Sequence, residues 1–501
     1  MENDNKMPVV LIGNSFKYEV EATCKLFFHT RRYRFSEDPA DASGEQFILA
    51  KISDEGDQAL LFAKVKLSGR EAVSGEKRLP ASAEKSQREH ELCRVLFHLL
   101  SDLTGIRPPW GLMTGIRPVK KVTELMDKGL SRQEIEKSLT ERFELMPDKL
   151  RLAYETAKNQ QPILQKIDSG AVSLYVSIPF CPTRCSYCSF VSHSMESAIK
   201  LMPEYVEALC RELRIIGKLI KKYGTRIDTV YFGGGTPTSL EAGDIRTIME
   251  CVAESFDLDK IREYSFEAGR PDTMTEEKLR VIKELGATRI SVNTQTLNDD
   301  VLRVIGRRHS GADFIAAFET ARKLGFDNIN TDLIAGLPTE SYESFRDSLD
   351  KVVELSPESI TVHTLTIKRS ASLFAESSEG SQGQAARMVS YSVEKLMENG
   401  YLPYYMYRQK NTVDDLENVG YAKKGFESWY NIFIMDDTQT IMGAGCAAST
   451  KLVFPGGRIK RVHNYKFPYE YIRQFDKLMK KKKEAEECLQ KISSIPPRSL
   501  A

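Results

Sequence analysis

The stretch LYVSIPFCPTRCSYCSF, residues 174–190, has three cysteines directly after a run of mostly apolar residues. Cys181, Cys185 and Cys188 follow the spacing CxxxCxxC. Three thiolates at this spacing are typical of a [4Fe-4S] cluster in which one iron has no protein ligand. Because such an iron can coordinate a small molecule, the stretch predicts a metal centre that binds a ligand directly.

A structural zinc site is the alternative interpretation of these cysteines. Tetrahedral zinc needs a fourth ligand, and His193 is the only nearby candidate. Structural zinc sites also favour paired CxxC knuckles. We therefore favour the cluster.

Beyond residue 170 the sequence alternates six times between short strand patterns and amphipathic helical patterns. The predicted strands are residues 174–178, 229–232, 264–267, 289–293, 329–333 and 359–365. The predicted helices are residues 202–221, 240–255, 275–285, 312–324, 342–355 and 384–398. This alternation indicates parallel strands joined by right-handed crossovers, which curl toward a barrel. We predict an α/β fold with a partial (β/α)6, TIM-like barrel over residues 171–380, with its active site at the carboxyl ends of the strands.

Two α+β domains are predicted to flank the barrel, over residues 1–170 and 381–501. In the first, strand patterns predict a small antiparallel sheet formed by residues 17–26, 46–51 and 59–66. Leucines at helical spacing then predict a helix over residues 86–103. The second is rich in Tyr and ends in a Lys-rich helix, whose lysine run at residues 480–483 is typical of a solvated helix face.

Composition excludes several classes of protein. The 501 residues include 71 Lys plus Arg against 70 Asp plus Glu, which gives no electrostatic reason to expect a nucleic-acid partner. No run of about 18 uncharged apolar residues predicts a membrane span. The acidic start, MENDNKMPVVLIG, does not resemble a signal peptide, and nine cysteines cannot all pair in a disulfide framework. We therefore predict a cytoplasmic protein.

A short repeat precedes the barrel, because TGIRP occurs at residues 104–108 and again at residues 114–118. Two copies are too few for a solenoid and indicate a pair of Gly/Pro turns. A functional alternative is that Arg107 and Arg117 present two guanidinium groups to an acidic ligand. Exposed arginines are most often only solvated, so we favour the turns.

Motifs that extend over residues 171–370 resemble one enzyme family. They are Tyr175 with IPFC, YFGGGTPT at 231–238, FEAGRP at 266–271, RISVNTQTLND at 289–299, GRRH at 306–309 and NTDLIAGLP at 330–338. In this order and spacing they resemble the radical S-adenosylmethionine (SAM) superfamily and, within it, the oxygen-independent coproporphyrinogen III oxidases (coproporphyrinogen dehydrogenases). WGLMTGIRP at residues 110–118 resembles only the HemZ-type branch of that family.

The resemblance implies one [4Fe-4S] cluster per chain, held by the three cysteines, and two SAM molecules. Positions that contact the SAM on the cluster are occupied by Tyr175, Phe190, Gly234, Glu267 and Thr366. Positions that bind a second SAM are occupied by Gly235 and Thr236, through their amide hydrogens, and by Gln295, Arg307 and Asp332. These residue types suit a zwitterion, because carboxylates accept hydrogen bonds from its ammonium group and an Arg pairs with its carboxylate.

The chain departs from the family pattern beside the cysteines. Ser177 stands where family members usually have His, so a proton-transfer or substrate role of that His is missing. Phe190 stands where some members have a fourth Cys. Further on, the glycine-rich stretch MGAGCAAS at residues 442–449 contains Cys446, which we expect to be a small buried residue and not a cluster ligand.

The resemblance implies that coproporphyrinogen III is converted to protoporphyrinogen IX in porphyrin and haem biosynthesis. A 5'-deoxyadenosyl radical from SAM would abstract hydrogen from two propionate side chains in turn, and each would lose CO2 and one electron to become a vinyl group. An electron donor and an acceptor, neither identified by the sequence, are required.

Two alternatives on this scaffold stay open, namely a haem-binding or haem-delivery protein and a radical SAM methyltransferase. Ser177 in place of His favours these alternatives. The retained Glu267, Gln295, Arg307 and Asp332 favour an active SAM enzyme.

Overall fold

A computed structural model describes residues 6–28, 31–168, 170–188, 193–194, 199–366, 383–409, 412–454 and 457–493. The chain divides into two compact units. The first combines Met1–Ile116 with Gly129–Arg151, and the second combines Arg117–Lys128 with Leu152–Ala501.

The first unit contains a five-stranded sheet with helices packed on it. The strands are β1 (Lys6–Ile12), β2 (Arg32–Ser36), β3 (Phe47–Glu55), β4 (Gln58–Lys66) and β5 (Val73–Pro80), in the order β2-β1-β3-β4-β5. The helices are Lys17–Lys25, Lys85–Thr104 and Arg132–Phe143, and Pro147–Leu164 begins in this unit. Alternate residues of β4 are fully buried and share one hydrophobic core with leucines of Lys85–Thr104. The predicted helix over residues 86–103 is thereby confirmed.

The predicted antiparallel sheet is wrong in one respect. Residues 17–26, expected to be a strand, lie almost entirely in the helix Lys17–Lys25, whose Val20, Thr23 and Cys24 are buried at helical spacing. This helix connects β1 to β2, and β1 pairs in parallel with both β2 and β3. The sheet is therefore mixed, because a helical crossover joins parallel strands where a hairpin joins antiparallel ones.

The second unit is built on six parallel strands separated by helices, as the alternating pattern predicted. The strands are β6 (Ala171–Ile178), β9 (Arg226–Gly234), β10 (Glu263–Gly269), β11 (Arg289–Val292), β12 (Ile329–Ala335) and β13 (Ser359–Thr364). The helices are Met202–Lys222, Ala242–Ser255, Glu276–Glu284, Asp299–Val304, Gly311–Lys323, Tyr342–Leu355 and Gln384–Glu398. Between β6 and β9 lie two short paired strands, β7 (Phe180–Cys181) and β8 (His193–Ser194). The predicted α/β class and the six-strand barrel are confirmed.

Later strands extend this sheet at both ends. On one side β16 (Ile441–Ala444) pairs in parallel with β6 and is followed by β17 (Ser449–Val453) and β18 (Ile459–His463). On the other, β15 (Glu417–Ala422) pairs antiparallel with β13 and then with β14 (Leu402–Arg408). Residues after 380 therefore belong to the same compact unit as the barrel, and the two units differ from the predicted division at residues 170 and 380.

The remaining helices are Pro118–Met126, Trp429–Asp436, Pro468–Arg473, Phe475–Lys482 and Glu484–Ser493. The expectation that residues 480–483 form a solvated face is wrong at Lys482, which is only 4% exposed. Lys482 pairs with the fully buried carboxylate of Glu212, which also accepts hydrogen bonds from Asn464, Tyr471 and the amide of Gly445. A buried carboxylate needs such partners, since an unpaired one is strongly destabilising.

None of the helices described is both long and apolar enough to cross a bilayer. No disulfide bond joins any of the nine cysteines, all of which lie within the described residues. Cys446 is fully buried, as expected, and its Sγ donates to the carbonyl of Lys466 at 3.0 Å.

Candidate functional site

The three cysteines lie on the loop that follows β6 at the carboxyl end of the barrel. Cys185 is buried, whereas Cys181 and Cys188 are partly exposed. The loop is anchored to the segment after helix Asp299–Val304, because the Ser186 amide donates to the Ile305 carbonyl (3.1 Å) and the Thr183 hydroxyl donates to the Gly306 carbonyl (3.1 Å). Phe190 and the side chain of His193 fall outside the described residues.

The spacing of the thiols bears on which metal they hold. Among the described residues, no three His, Cys, Asp or Glu side chains are gathered closely enough to bind a single ion. A [4Fe-4S] cluster makes no such demand, because each thiolate binds a different iron. Three thiols are the donor set of a [4Fe-4S] cluster with one open iron, and the cluster stays our prediction.

The glycine-rich segment after β9 packs directly against the cysteine loop. A Cβ atom on Gly235 would lie 2.5 Å from the Phe180 carbonyl oxygen and 3.0 Å from Cys181 Sγ, so only glycine fits. The amides of Gly235 and Thr236 donate to the carbonyls of Ile178 and Phe180, both at 2.7 Å. These amides, expected to bind a second SAM, are thus already engaged within the protein. The hydroxyl of Thr236 instead donates to Cys181 Sγ at 3.5 Å.

Glu267, near the end of β10, is half-buried among tyrosines inside the barrel. The Tyr231 hydroxyl donates to its Oε1, and the Tyr231 ring stacks on Tyr430 with centroids 4.3 Å apart. Tyr175 stacks on both rings at 6.2 Å. Burial, with a further contribution from the charge of Asp332, raises the pKa of Glu267 to about 7 despite the hydrogen bond from Tyr231. Glu267 can therefore hold or release a proton near neutral pH.

Asp332, at the middle of β12, is the second carboxylate of the barrel interior. Asn330 donates to its Oδ1 at 2.7 Å, and His363 Nε2 lies 3.7 Å from its Oδ2. Burial opposes ionisation, but contact with His363 outweighs it, so the pKa of Asp332 is below its usual value. The same contact raises the pKa of His363. The two carboxyl groups, Glu267 and Asp332, thus favour opposite protonation states.

Gln295 and Thr366 lie in the loops that follow β11 and β13. Gln295 has a φ of 75°, and its backbone amide donates to the backbone carbonyl of Asp332 at 3.0 Å. Thr366 follows β13 and forms an isolated bridge with Thr412. Both remain predicted SAM contacts.

Arg307 contacts the cysteine loop with one nitrogen and leaves two others without partners. Its Nη2 donates to the Tyr187 hydroxyl at 2.9 Å. Within the described part of the chain its Nε and Nη1 are buried and have no hydrogen-bond acceptor. Buried donors are normally satisfied, so these indicate a missing anionic or polar ligand. A carboxylate is the natural partner of a guanidinium, which fits the amino-acid moiety of SAM.

Ser177 is buried beside the glycine-rich segment. A Cβ atom on Gly234 would lie 2.9 Å from Ser177 Oγ, and the carbonyl of Ser177 accepts a hydrogen bond from Tyr205 at 2.6 Å. The Ser177 side chain therefore faces Gly234.

Sequence reasoning did not include several residues of this site. They are Thr183, Tyr187, Tyr231, Arg270, Asp272, Tyr407 and Tyr430. His363 belongs to none of the motifs quoted above. Its alternation with Thr361 along β13 could have placed it inside the barrel, since inward residues of a strand recur at every second position.

The TGIRP arginines are engaged by acidic residues within their own units. Arg107 lies 3.8 Å from Glu144, which also pairs with Arg94 and His98. Arg117 pairs with the nearly buried Asp437. These contacts do not support an acidic ligand shared by the two arginines.

Glu340, in the loop after β12, is a buried carboxyl that the motifs did not single out. It is 5% exposed; its Oε1 accepts hydrogen bonds from Thr296 and Ser344, and its Oε2 has no partner in the described residues. Burial raises the pKa of Glu340 to about 7.

We expect Glu340→Gln to stabilise the protein above pH 7 and to have little effect near pH 4.5. The native carboxyl keeps its proton up to about pH 7, whereas the unfolded chain loses it near pH ~4.3. The stability due to this proton is fully present below the unfolded pKa and is lost as pH rises through the native pKa. Urea unfolding at several pH values would show the difference growing and then levelling off. A difference independent of pH would contradict the assignment, and the exposed Glu343→Gln is the control.

Comparison with known proteins agrees with this geometry. Residues 175–352 match the model of the radical SAM superfamily. The oxygen-independent coproporphyrinogen-III oxidase-like protein HemZ of Bacillus subtilis is 36% identical over 452 residues, which are 88% of this chain and 89% of that protein. The heme chaperone HemW of the same species is 32% identical over 54% of this chain and 69% of that protein.

Among solved structures, coproporphyrinogen III oxidase HemN from Escherichia coli, a radical SAM enzyme, matches 64% of this chain and 72% of its own. The TM-score is 0.49 and the sequence identity is 23%. With the long match to HemZ, the three-cysteine loop and the six-stranded parallel barrel, the chain belongs to the radical SAM superfamily and, within it, to the family of HemZ and HemW.

Proposed function

We propose that this protein is a radical SAM enzyme that converts coproporphyrinogen III to protoporphyrinogen IX without oxygen. One observation carries the proposal, namely the half-buried Arg307, whose Nη2 donates to Tyr187 on the cysteine loop and whose buried Nε and Nη1 have no acceptor within the described residues. Two buried guanidinium donors need an acceptor, and the carboxylate of SAM would supply one. The thiol state of all nine cysteines suits a reducing compartment, and we place the reaction in the cytoplasm.

When bound, the cluster and SAM supply hydrogen-abstracting radical chemistry. Cys181, Cys185 and Cys188 would hold the cluster. Glu267, with Tyr175 stacked nearby, would accept hydrogen bonds from the bound SAM.

A second SAM would be held by Arg307 through its carboxylate, with Asp332 and Gln295 as acceptors for polar hydrogens. The depressed pKa of Asp332 keeps it an acceptor at neutral pH. The raised pKa of Glu267 lets that group exchange a proton.

The name of HemZ supports the oxidase proposal, because that match extends over most of both chains. Two observations favour haem delivery as a second candidate: relatives named heme chaperones match more than half of this chain, and Ser177 replaces the usual His. The two candidates differ in their products, which can be measured.

The deciding experiment is anaerobic incubation of the iron-reconstituted protein with SAM, a reductant and coproporphyrinogen III. We expect protoporphyrinogen IX together with 5'-deoxyadenosine, and neither product from the Cys185→Ala control. Stoichiometric haem binding without a porphyrinogen product would favour haem delivery. A methylated product would favour a methyltransferase.

We expect Ser177→His to raise the ratio of protoporphyrinogen formed to 5'-deoxyadenosine released, because a positioned acid or base typically contributes about 10²-fold or more. SAM cleavage itself should change little, since the SAM-binding residues are untouched. Ser177→Thr, which keeps a hydroxyl, is the control. Tight coupling in the unmutated protein would show that another group, such as His363, is sufficient.

A further inference from the structure

Arg270, in the motif FEAGRP, is a buried arginine whose donors converge on the cysteine loop. It is 2% exposed. Its Nη1 lies 2.8 Å from the Thr183 hydroxyl, 3.2 Å from the Thr183 carbonyl and 3.8 Å from Cys185 Sγ. The family resemblance gave no role to this residue.

The rest of the guanidinium is fixed by a carboxylate. Nε and Nη2 donate to the two oxygens of Asp272 at 3.0 and 2.8 Å, which is a bidentate pair. The buried His309 stands behind Asp272, with its Nδ1 3.8 Å from Asp272 Oδ1. Hydrogen bonds from two edges of the Arg270 guanidinium therefore prevent its rotation, and its position beside Cys185 is defined.

We propose that Arg270 is a positioning residue of the cluster, which fixes the loop around Cys185 and raises the reduction potential of the bound cluster through its charge. The inference rests on the cluster that the proposed function also needs, but not on the identity of the substrate.

The direction of the effect follows from electrostatics. Reduction adds negative charge to the cluster, and a nearby cation stabilises the reduced form. Hydrogen bonds to cluster sulfurs and the net charge around a cluster are known determinants of its potential. The effect is strong where the cation is buried, because the effective dielectric constant there is low.

The test is the midpoint potential of the reconstituted cluster, measured by spectroscopically monitored redox titration. In Arg270→Gln we expect a more negative potential, by about 59 mV or more, which is a tenfold change for one electron. Iron loss to a chelator should also be faster, because the Thr183 contacts are lost. Arg270→Lys keeps the charge but not the bidentate geometry, so it should keep most of the potential and still lose iron faster.

Arg289→Gln is the matched control, since Arg289 is an equally buried arginine at the opposite end of the strands, where it bonds Asn328, Asn330 and Ser359. If Arg270→Gln does not retain four irons, Asp272→Asn replaces it, and removal of that negative charge should raise the potential. An unchanged potential in the variant measured overturns the inference and leaves the proposed function standing. Failure of the unmutated protein to bind a cluster would overturn both.

Discussion

The Cys185→Ala protein is expected to contain no [4Fe-4S] cluster after anaerobic reconstitution. Two thiolates do not hold a cluster against solvent and chelators. The protein should still fold, because the contacts that anchor the loop come from Thr183 and Ser186 and not from the Cys185 thiol. Iron and sulfide content, with the spectrum of the reduced cluster, measures the loss.

The same loss is expected for Cys181→Ala and Cys188→Ala. Cys446→Ala is the control and should keep its full iron content, because Cys446 lies buried against the Lys466 carbonyl. Four irons retained in Cys185→Ala would show that the ligand assignment is wrong.

The second large effect is expected at Arg307. Its replacement by Ala should abolish one of two SAM-binding events, because the carboxylate of that SAM would lose its buried partner. Truncating one partner of a buried charge pair costs about 2–5 kcal/mol, which weakens binding by roughly 30-fold to several thousand-fold.

Equilibrium binding of SAM to the anaerobic, cluster-loaded protein would show this as a change in stoichiometry from two to one. Arg308→Ala is the matched control, since Arg308 is the exposed neighbour in the same motif. A stoichiometry of one for the unmutated protein would discard the second site.

Much of the barrel could be predicted from the sequence because its local patterns agree with its tertiary structure. Each predicted barrel strand overlaps an observed one, since buried parallel strands read as short apolar runs between amphipathic helices. In the first unit, KYEVEATCKL is compatible with both a helix and a strand. In the structure this segment is a helix, and its buried side chains join the hydrophobic core of the sheet.

The site was predictable where one residue type at a fixed spacing indicates the chemistry, as for the three cysteines. The site was not predictable where a residue's role depends on a contact with a residue that is distant in sequence. The amides of Gly235 and Thr236 are satisfied by carbonyls more than 50 residues earlier, and Arg270 reaches Cys185 across 85 residues. Such pairings depend on strand register, which a single sequence does not reveal.

The strands that cover both edges of the parallel sheet have a consequence for how the protein is made. β6, which leads into the cysteine loop, is covered by β16, and β13 is covered by β15. At about 5–20 residues per second, a ribosome needs roughly 13–50 seconds to synthesise the chain between β6 and β16. During that interval the nascent chain exposes an open strand edge, a template for aggregation, beside the three cysteines. A cluster held by Cys181, Cys185 and Cys188 before β16 is made would therefore depend on a loop whose preceding strand has one unpaired edge.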